Sequence, residues 1–422
     1  MLNRRNFCLA ATLPATASWL TACGGGKFDT EAPALWANIA MRAAALAPPP
    51  GLPPFISARS YAMAFLAAHN ALNAIEPAYA SYVPTAKAPG ANADAAVAAA
   101  VHDVLVHEFP FATALLDSEY AAAIATIQGD GSKPKGIETG QRCAAAMLAH
   151  RADDGLALIE GPYTPGSSPG DYQFTPPFNF AATVHFGDKL KPFSIASGNS
   201  YRVATPYRVT DAAYTADFNE VKALGAIAGS TRSADQAEIA KFWLENTNDS
   251  WMKIALQLAD RREMLGWQLM RTLALLQMAQ TDAYIACLES KYFYNFWRPV
   301  TAIRAAASDG NPDTAADPAW TSFDPVCPPV PDYPSGHSAS GGAGEAVLAA
   351  AFGGDTATFT HSSVTLPGPT RNFASFSQAA AEIAASRVYV GYHFRLATTA
   401  GRAQGQAVGR QVSDSQLALR LR

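Results

Sequence analysis

Apolar residues, many of them alanine, recur at helical spacing along most of this chain, and this feature limits its fold more than any other. The spacing predicts helices over 58–79, 93–109, 112–127, 136–152, 212–228 and 234–246. The alternation of apolar and polar residues that marks strands is scarce. The expected fold class is therefore all-α, built from helical bundles.

The last part of the chain continues the helical pattern but contains a second kind of segment. Residues 250–297 are long enough for two or more helices, and 336–352 and 373–390 predict one helix each. Residues 154–208 are rich in proline, glycine and aromatic side chains, and 308–334 in proline and aspartate. We expect both of these to be long ordered loops.

The charge balance excludes one class of partner. With 31 Lys and Arg against 35 Asp and Glu, the net charge of −4 gives no electrostatic reason to expect nucleic-acid binding. Charged residues make up only 16% of the chain, which suits closely packed helices. Five cysteines among 422 residues exclude a disulfide scaffold, and Cys143, Cys287 and Cys327 allow at most one disulfide among them.

The N-terminus resembles a bacterial export signal. Two arginines precede an apolar run over 7–22 that is too short for a comfortable membrane span. Arg4-Arg5-Asn6-Phe7 resembles a twin-arginine core, and Leu20 to Cys23 resembles a lipobox. This resemblance implies lipidation at Cys23 and an exported protein, periplasmic or anchored at the outer membrane, whose only membrane contact is the lipid. An ordinary cleaved signal is the alternative.

These features divide the chain into four segments. We expect an export signal over 1–22, a tether and N-terminal segment over 23–57, an N-terminal helical part over 58–208 and a C-terminal helical catalytic part over 209–422.

Three short motifs in the C-terminal part together contain three cations and two histidines. Lys291 and Arg298 are seven positions apart, which on a helix places them within about 20° of one direction. Pro299 predicts that this helix ends at Arg298. Aromatic neighbours make the surroundings apolar, and cations in such surroundings require an anion.

The second motif, Tyr333-Pro334-Ser335-Gly336-His337, precedes an alanine-rich helix. Proline followed by serine predicts a helix N-terminus, whose free N–H groups bind oxyanions, and His337 lies in the first turn, where it can exchange protons. The third motif runs from Ser386 and Arg387 to His393. Arg387 and His393 diverge by about 120° on an unbroken helix, so their convergence requires a distortion, which Gly391 can supply.

Together the motifs resemble the signature of the superfamily that unites vanadium-dependent haloperoxidases with phosphatidic acid phosphatases and bacterial acid phosphatases. The residues of the first two motifs are most similar to those of the soluble bacterial haloperoxidase-like branch. The part of the chain that carries the resemblance is about 280–412. The resemblance implies a vanadium chloroperoxidase-like fold of two four-helix-bundle units with long Pro/Gly-rich loops.

The resemblance also implies roles for single residues. Lys291, Arg298 and Arg387 would bind the oxygens of vanadate, or of phosphate in the same pocket, with Ser335 and the Gly336 amide adding hydrogen bonds. His393 would bond to vanadium, or attack phosphorus in a phosphatase. His337 would be the general acid/base, and Lys291 would polarise bound peroxide. The substrates would be hydrogen peroxide and halide.

Two alternatives remain open, and two positions bear on them. The first alternative is a phosphatase that cleaves phosphate esters through a phosphohistidine, and the second is an inactive surface lipoprotein that keeps the fold. The phosphatase pattern has an acid four residues after the last histidine, where this chain has Ala397. Characterised haloperoxidases carry an aromatic residue or histidine seven positions before the acid/base histidine, where this chain has Val330, so the halide preference is open.

A metal site elsewhere is not expected. His102 and His107 leave a helix about 140° apart and do not follow the zinc-protease order.

Overall fold

A computed structural model describes residues 28–49, 51–128 and 131–420. The predicted export signal over 1–22 and the lipidation site Cys23 lie outside the described residues. The helices are α1 Glu31–Ala44, α2 Pro54–Ile75, α3 Ala93–Glu108, α4 Thr113–Thr126, α5 Ser132–Arg151, α6 Phe186–Lys189, α7 Ala212–Leu224, α8 Ala234–Phe242, α9 Thr247–Arg261, α10 Gly266–Tyr294, α11 Pro299–Ala305, α12 Gly336–Phe352, α13 Phe376–Tyr389 and α14 Arg395–Ser415. The predicted all-α class is confirmed.

The long helix α10 organises the bundles. On one side it packs against α2, which packs in turn against α3 and α5. On the other side it packs against α12 and α14, and α12 also contacts α13. The helices thus form two groups that share α10. Almost every side chain of α10 between Leu269 and Leu288 is buried, because both of its faces are covered.

One hydrophobic core runs through both groups, from Trp36 of α1 to Val412 of α14. A second cluster, which includes Tyr214, Trp297 and Phe394, lies where α7 and α11 meet the loops that carry the motifs. This aromatic cluster gives the motif segments a rigid apolar support.

Besides the short helices α6 and α11, two longer helices and a hairpin were not predicted from the sequence. Helix α1 lies within the segment expected to be a tether, and its Trp36 is buried in the core. Helix α14 is rich in glycine, which disfavours helix formation, yet its glycines let its backbone approach α12 closely. Strands β1 Thr356–Ser363 and β2 Leu366–Ser375 form an antiparallel hairpin. Only two of the four inward side chains of β1, Ala357 and Phe359, are apolar, so the alternation is weak in the sequence.

The aromatic-rich loop over 154–208 is ordered against the motif segments, as expected. The backbone N–H of Tyr172 donates to the carbonyl of Asn295 at 2.7 Å, and that of Trp297 donates to Gly170 at 2.9 Å. The Tyr333 hydroxyl donates to Ala204 at 2.8 Å. The loop therefore covers the region between α10 and α12 that carries the first two motifs.

Among the described residues, no single helix has the length and apolarity needed to cross a membrane. The bent pair formed by Ala93–Glu108 and Pro110–Thr126 meets that criterion only jointly, with an angle of 117° between its two parts.

Candidate active site

Lys291 and Arg298 converge, but not by the predicted route. Helix α10 ends at Tyr294, and Asn295 adopts a left-handed conformation with a φ of 49°. Arg298 therefore has an extended backbone and caps α11 rather than lying on the face of α10. The prediction that the helix continues to Arg298 is wrong, because the left-handed turn at Asn295 reverses the chain before Pro299 acts on it.

A row of backbone carbonyls orients these two cations. The Lys291 ammonium donates to the carbonyls of Pro331 and Asp332 at 2.6 and 2.9 Å. The Arg298 guanidinium donates to Val330 at 2.7 Å through Nε and to Tyr392 at 3.0 Å through Nη1. The segment just before the second motif thus holds both cations, and their side chains are almost completely buried.

Helix α12 begins where the second motif predicts. Ser335 is its N-cap, and the Ser335 hydroxyl accepts hydrogen bonds from the backbone N–H and the hydroxyl of Ser338. Gly336 and His337 form the first turn. A Cβ atom at Gly336 would have no neighbour closer than 3.7 Å, so the space beside its backbone is open. These two residues are only partly covered, whereas Ser335 is fully buried.

The imidazole of His337 has one buried nitrogen that no described residue contacts by a hydrogen bond. Its Nε2 atom is buried and has no hydrogen-bond partner among the described residues. Burial lowers the pKa of His337 well below its usual value, and the charge of Arg387 lowers it further. The ring is therefore neutral at neutral pH and can accept a proton.

The third motif reaches the site through a sharp turn. Helix α13 ends at Tyr389, and Gly391 has a φ of 87°, which a glycine tolerates without strain. The N–H groups of Tyr392 and His393 both donate to the Arg387 carbonyl, at 3.0 and 3.2 Å. The distortion expected at Gly391 is therefore present, and it turns His393 back towards the cations.

Arg387 is held by a segment that the motifs did not indicate. Its Nη1 atom donates to the carbonyl of Trp243 at 3.0 Å, while its Nε atom is buried without a partner. The backbone of Glu245 lies beside His337. The Glu245 carboxylate is fixed in turn by Lys253 at 2.5 Å and by His361 of β1 at 2.8 Å. No sequence signal marks this segment, because its contacts to the site are made by backbone atoms.

The pocket concentrates positive charge away from water. Burial and the Arg298 charge lower the pKa of Lys291 to about 7, and burial lowers that of Arg387 to about 10. Burial and the three cations hold the pKa of His393 well below its usual value, so its ring is neutral. In the described part of the chain, neither Lys291 nor Arg387 has a carboxylate within 4.0 Å.

Sequence reasoning did not assign a role to Asp332. Its Oδ1 atom lies 2.8 Å from Nδ1 of His393 and 4.0 Å from Nη1 of Arg298. Burial raises the pKa of this carboxyl to about 7. An aspartate in the apolar, proline-rich stretch directly before the second motif was a signal that could have identified it.

This donor set fits a tetrahedral oxyanion such as vanadate or phosphate. Three buried cations outnumber the one nearby carboxylate, and a buried excess of positive charge requires an anion. The unpartnered Arg387 Nε and His337 Nε2 atoms supply hydrogen-bonding capacity that the described protein atoms leave unused.

The remaining candidate positions have ordinary surroundings. Cys143, Cys287 and Cys327 are buried and free, so no disulfide forms among them. His102 contacts Asp103 and Asp117 rather than His107. No cluster of metal-ligating side chains was found over 28–49, 51–128 and 131–420. Ala397 is buried, and its carbonyl accepts the Ser335 N–H at 2.9 Å.

Comparison with known proteins finds a family match over the last 150 or so residues of the chain. Residues 271–420 match the model of the second helical-bundle domain of vanadium chloroperoxidase (VCPO). The vanadium chloroperoxidase of Curvularia inaequalis is 42% identical over 82 residues, which are 17% of this chain and 13% of that enzyme. The matched segment thus spans only a small part of that relative's length.

Solved structures resemble nearly the whole chain. A bacterial vanadium-dependent iodoperoxidase superposes with a TM-score of 0.80 at 24% identity, covering 94% of this chain and 98% of that one. A holo bacterial vanadium-dependent chloroperoxidase superposes with a TM-score of 0.73 at 18% identity, covering 92% and 97%. At these identities the likeness concerns the fold.

Proposed function

We propose that this chain, whose fold is that of the vanadium haloperoxidases and whose residues 271–420 match their second helical-bundle domain, is a vanadate-dependent haloperoxidase. It would oxidise halide with hydrogen peroxide. The observation that carries the proposal is the convergence of Lys291, Arg298 and Arg387 with two neutral histidines in one buried pocket. All three motifs contribute to that pocket.

Each residue has a task that its surroundings support. Lys291, Arg298 and Arg387 would neutralise the oxygens of vanadate, and the planar arginine side chains can each contact two oxygens. The Ser335 hydroxyl and the Gly336 N–H, at the positive end of α12, would donate to further oxygens. When bound, vanadate supplies a Lewis acid that activates peroxide.

The two histidines would have different tasks. His393 offers a neutral Nε2 atom as the one nitrogen ligand. His337 is neutral, and its Nε2 atom has no partner among the described residues, so it would accept a proton from hydrogen peroxide. Val330 uses its carbonyl to hold Arg298, and its side chain packs against an apolar cluster that includes Tyr284 and Leu288.

The test is to titrate the purified protein with vanadate and then assay peroxide-dependent halogenation of an organic acceptor with chloride, bromide and iodide separately. We expect vanadate-dependent halogenation that His393→Ala abolishes. Hydrolysis of a phosphate ester without vanadate, and its inhibition by vanadate, would support the phosphatase alternative instead. Absence of both activities and of vanadate binding would contradict both enzyme proposals and leave the inactive lipoprotein.

A matched pair of arginine variants tests the pocket itself. Arg298→Ala should weaken vanadate binding roughly 10- to 100-fold, because a hydrogen bond to a charged group contributes about 1.5–3 kcal/mol. Arg410→Ala, at an exposed position on α14, should leave the affinity unchanged. Equal losses in the two variants, measured by calorimetric titration, would contradict the assigned pocket.

A further inference from the structure

Asp332 lies against the histidine proposed to bond to vanadium. Its Oδ1 atom is 2.8 Å from Nδ1 of His393, although the angle of approach is outside that of a regular hydrogen bond. Asp332 is 1% exposed and His393 is 5% exposed, so no water competes strongly for this contact. Across the part of the chain that the structure describes, no other carboxylate lies within 4.0 Å of His393.

The backbone of Asp332 is held from both sides. Its N–H donates to the carbonyl of Phe296 at 2.8 Å, and its own carbonyl accepts from the Lys291 ammonium at 2.9 Å. The carboxylate is thus presented from the same segment that orients the site cations. A change in this side chain therefore acts at His393, and also at Arg298 and at the backbone N–H of Phe394, while the bonds of the Asp332 backbone remain available.

The contact on the other side of the imidazole indicates which ring nitrogen carries the proton. Nη1 of Arg298 is 3.1 Å from Nε2 of His393. A guanidinium can only donate, so Nε2 must be the acceptor and must carry the lone pair. The proton of the neutral ring then lies on Nδ1, the nitrogen that is 2.8 Å from Oδ1 of Asp332.

We propose that Asp332 is a positioning residue, which keeps the proton of His393 on Nδ1 and thereby keeps the Nε2 lone pair directed at the oxyanion site. A carboxylate that accepts from the outer nitrogen of a ligand histidine fixes both the tautomer and the orientation of the ring. The inference rests on the proposed function, because it assigns His393 Nε2 to the bound vanadate.

A different role for Asp332 would be simple charge compensation of Arg298, which is 4.0 Å away. The two roles predict different results for variants without the charge. If Asp332 only compensates charge, Asp332→Asn and Asp332→Ala should behave alike. If it accepts a proton from Nδ1, asparagine retains an acceptor oxygen and alanine does not.

The experiment titrates the wild type and both variants with vanadate and, separately, with inorganic phosphate. Vanadate is expected to use His393 Nε2, whereas phosphate is held through its oxygens alone. We expect Asp332→Ala to bind vanadate about 10-fold or more weakly than Asp332→Asn, the lower end of what loss of such a partner costs. The two variants should bind phosphate equally. Equal affinities for both anions would overturn the positioning role.

A second measurement needs no variant of Asp332 and no bound anion. Nitrogen-15 NMR of the histidine rings, with His393 assigned by comparison with His393→Gln, reports which nitrogen carries the proton. We expect protonated Nδ1 and unprotonated Nε2 in the wild type. A proton on Nε2 would overturn the inference even if the enzyme is an active peroxidase. Failure of the wild type to bind vanadate or phosphate would instead contradict the proposed function, with the tautomer still measurable.

Discussion

The hydrogen bonds of the Lys291 ammonium to described residues all go to backbone carbonyl oxygens. Its two hydrogen bonds go to the backbone of Pro331 and Asp332, and burial together with Arg298 lowers its pKa from 10.5 to about 7. Without a bound anion, Lys291 is therefore expected to be partly charged and partly neutral near neutral pH. A bound anion favours the charged form, so binding must be accompanied by proton uptake once the pH exceeds that pKa.

The affinity for a permanently doubly charged anion should therefore fall as the pH rises. We expect sulfate binding to be constant below pH 7 and to weaken above it, by up to about tenfold per pH unit. Burial raises the pKa of Asp332 to about 7, and its ionisation acts in the same direction. Calorimetric titrations between pH 6 and pH 9 measure the effect.

Two variants separate these contributions. Lys291→Met should bind sulfate more weakly at pH 6 and show a shallower pH dependence. Asp332→Asn should lack the component of the pH dependence that Lys291→Met retains. A wild-type affinity that stays constant from pH 6 to pH 9 would contradict the lowered pKa of Lys291.

At the scale of elements, the turn after α13 decides whether the third motif can meet the other two. Gly391 has a φ of 87°, and a Cβ atom there would lie 2.5 Å from the carbonyl oxygen of Gly225. Gly353, after α12, has a φ of 82° with nothing within 4 Å of such a Cβ. The two glycines therefore share a conformation and differ in their surroundings.

We expect Gly353→Ala to cost about 1–2 kcal/mol of stability, the penalty for a left-handed residue with a side chain. Gly391→Ala should cost more and should also weaken phosphate binding, because relief of the clash displaces His393 and the Tyr392 carbonyl that holds Arg298. Urea unfolding and phosphate titration of both variants measure this. Equal destabilisation with unchanged binding in both would show that the close contact at Gly391 does not position the site.

At the scale of the whole molecule, the fold encloses cations that it does not itself neutralise. Helix α10, α12, α13 and the segment before α12 each contribute a site residue. Holding these elements together brings like charges close, which lowers the stability of the anion-free protein. An anion that binds only the folded state must then stabilise the whole fold.

Phosphate should therefore raise the free energy of unfolding, by about 2.7 kcal/mol at a concentration 100 times its dissociation constant. Urea unfolding in phosphate and in chloride of equal ionic strength measures the difference. In Arg387→Ala the difference should shrink, because one of the cations is gone. A wild type that unfolds identically in the two salts would contradict a preformed anion pocket.

The sequence by itself determined the helical class and the identity of the side chains that the motifs supply. Helical periodicity depends on residues three and four apart, and a Pro-Ser pair specifies a helix start locally, so α12 begins at Gly336 as predicted. The family resemblance drawn from the three motifs is confirmed by the match over residues 271–420 and by the fold. The two longest helices that the sequence did not predict depend on packing rather than on local preference: Trp36 anchors α1, and α14 is helical despite its glycines.

Only the tertiary structure decided how the site is assembled. Lys291 and Arg298 meet through the carbonyls of Val330, Pro331 and Asp332 rather than on one helix face. The Trp243 carbonyl accepts a hydrogen bond from Arg387, and the Asp332 carboxylate lies against His393. In both pairs the two residues are far apart in the chain. Backbone atoms are the same at every position, and the burial of a carboxylate depends on everything packed around it. A linear pattern can therefore identify which side chains carry the chemistry, but their partners and their protonation follow from the fold.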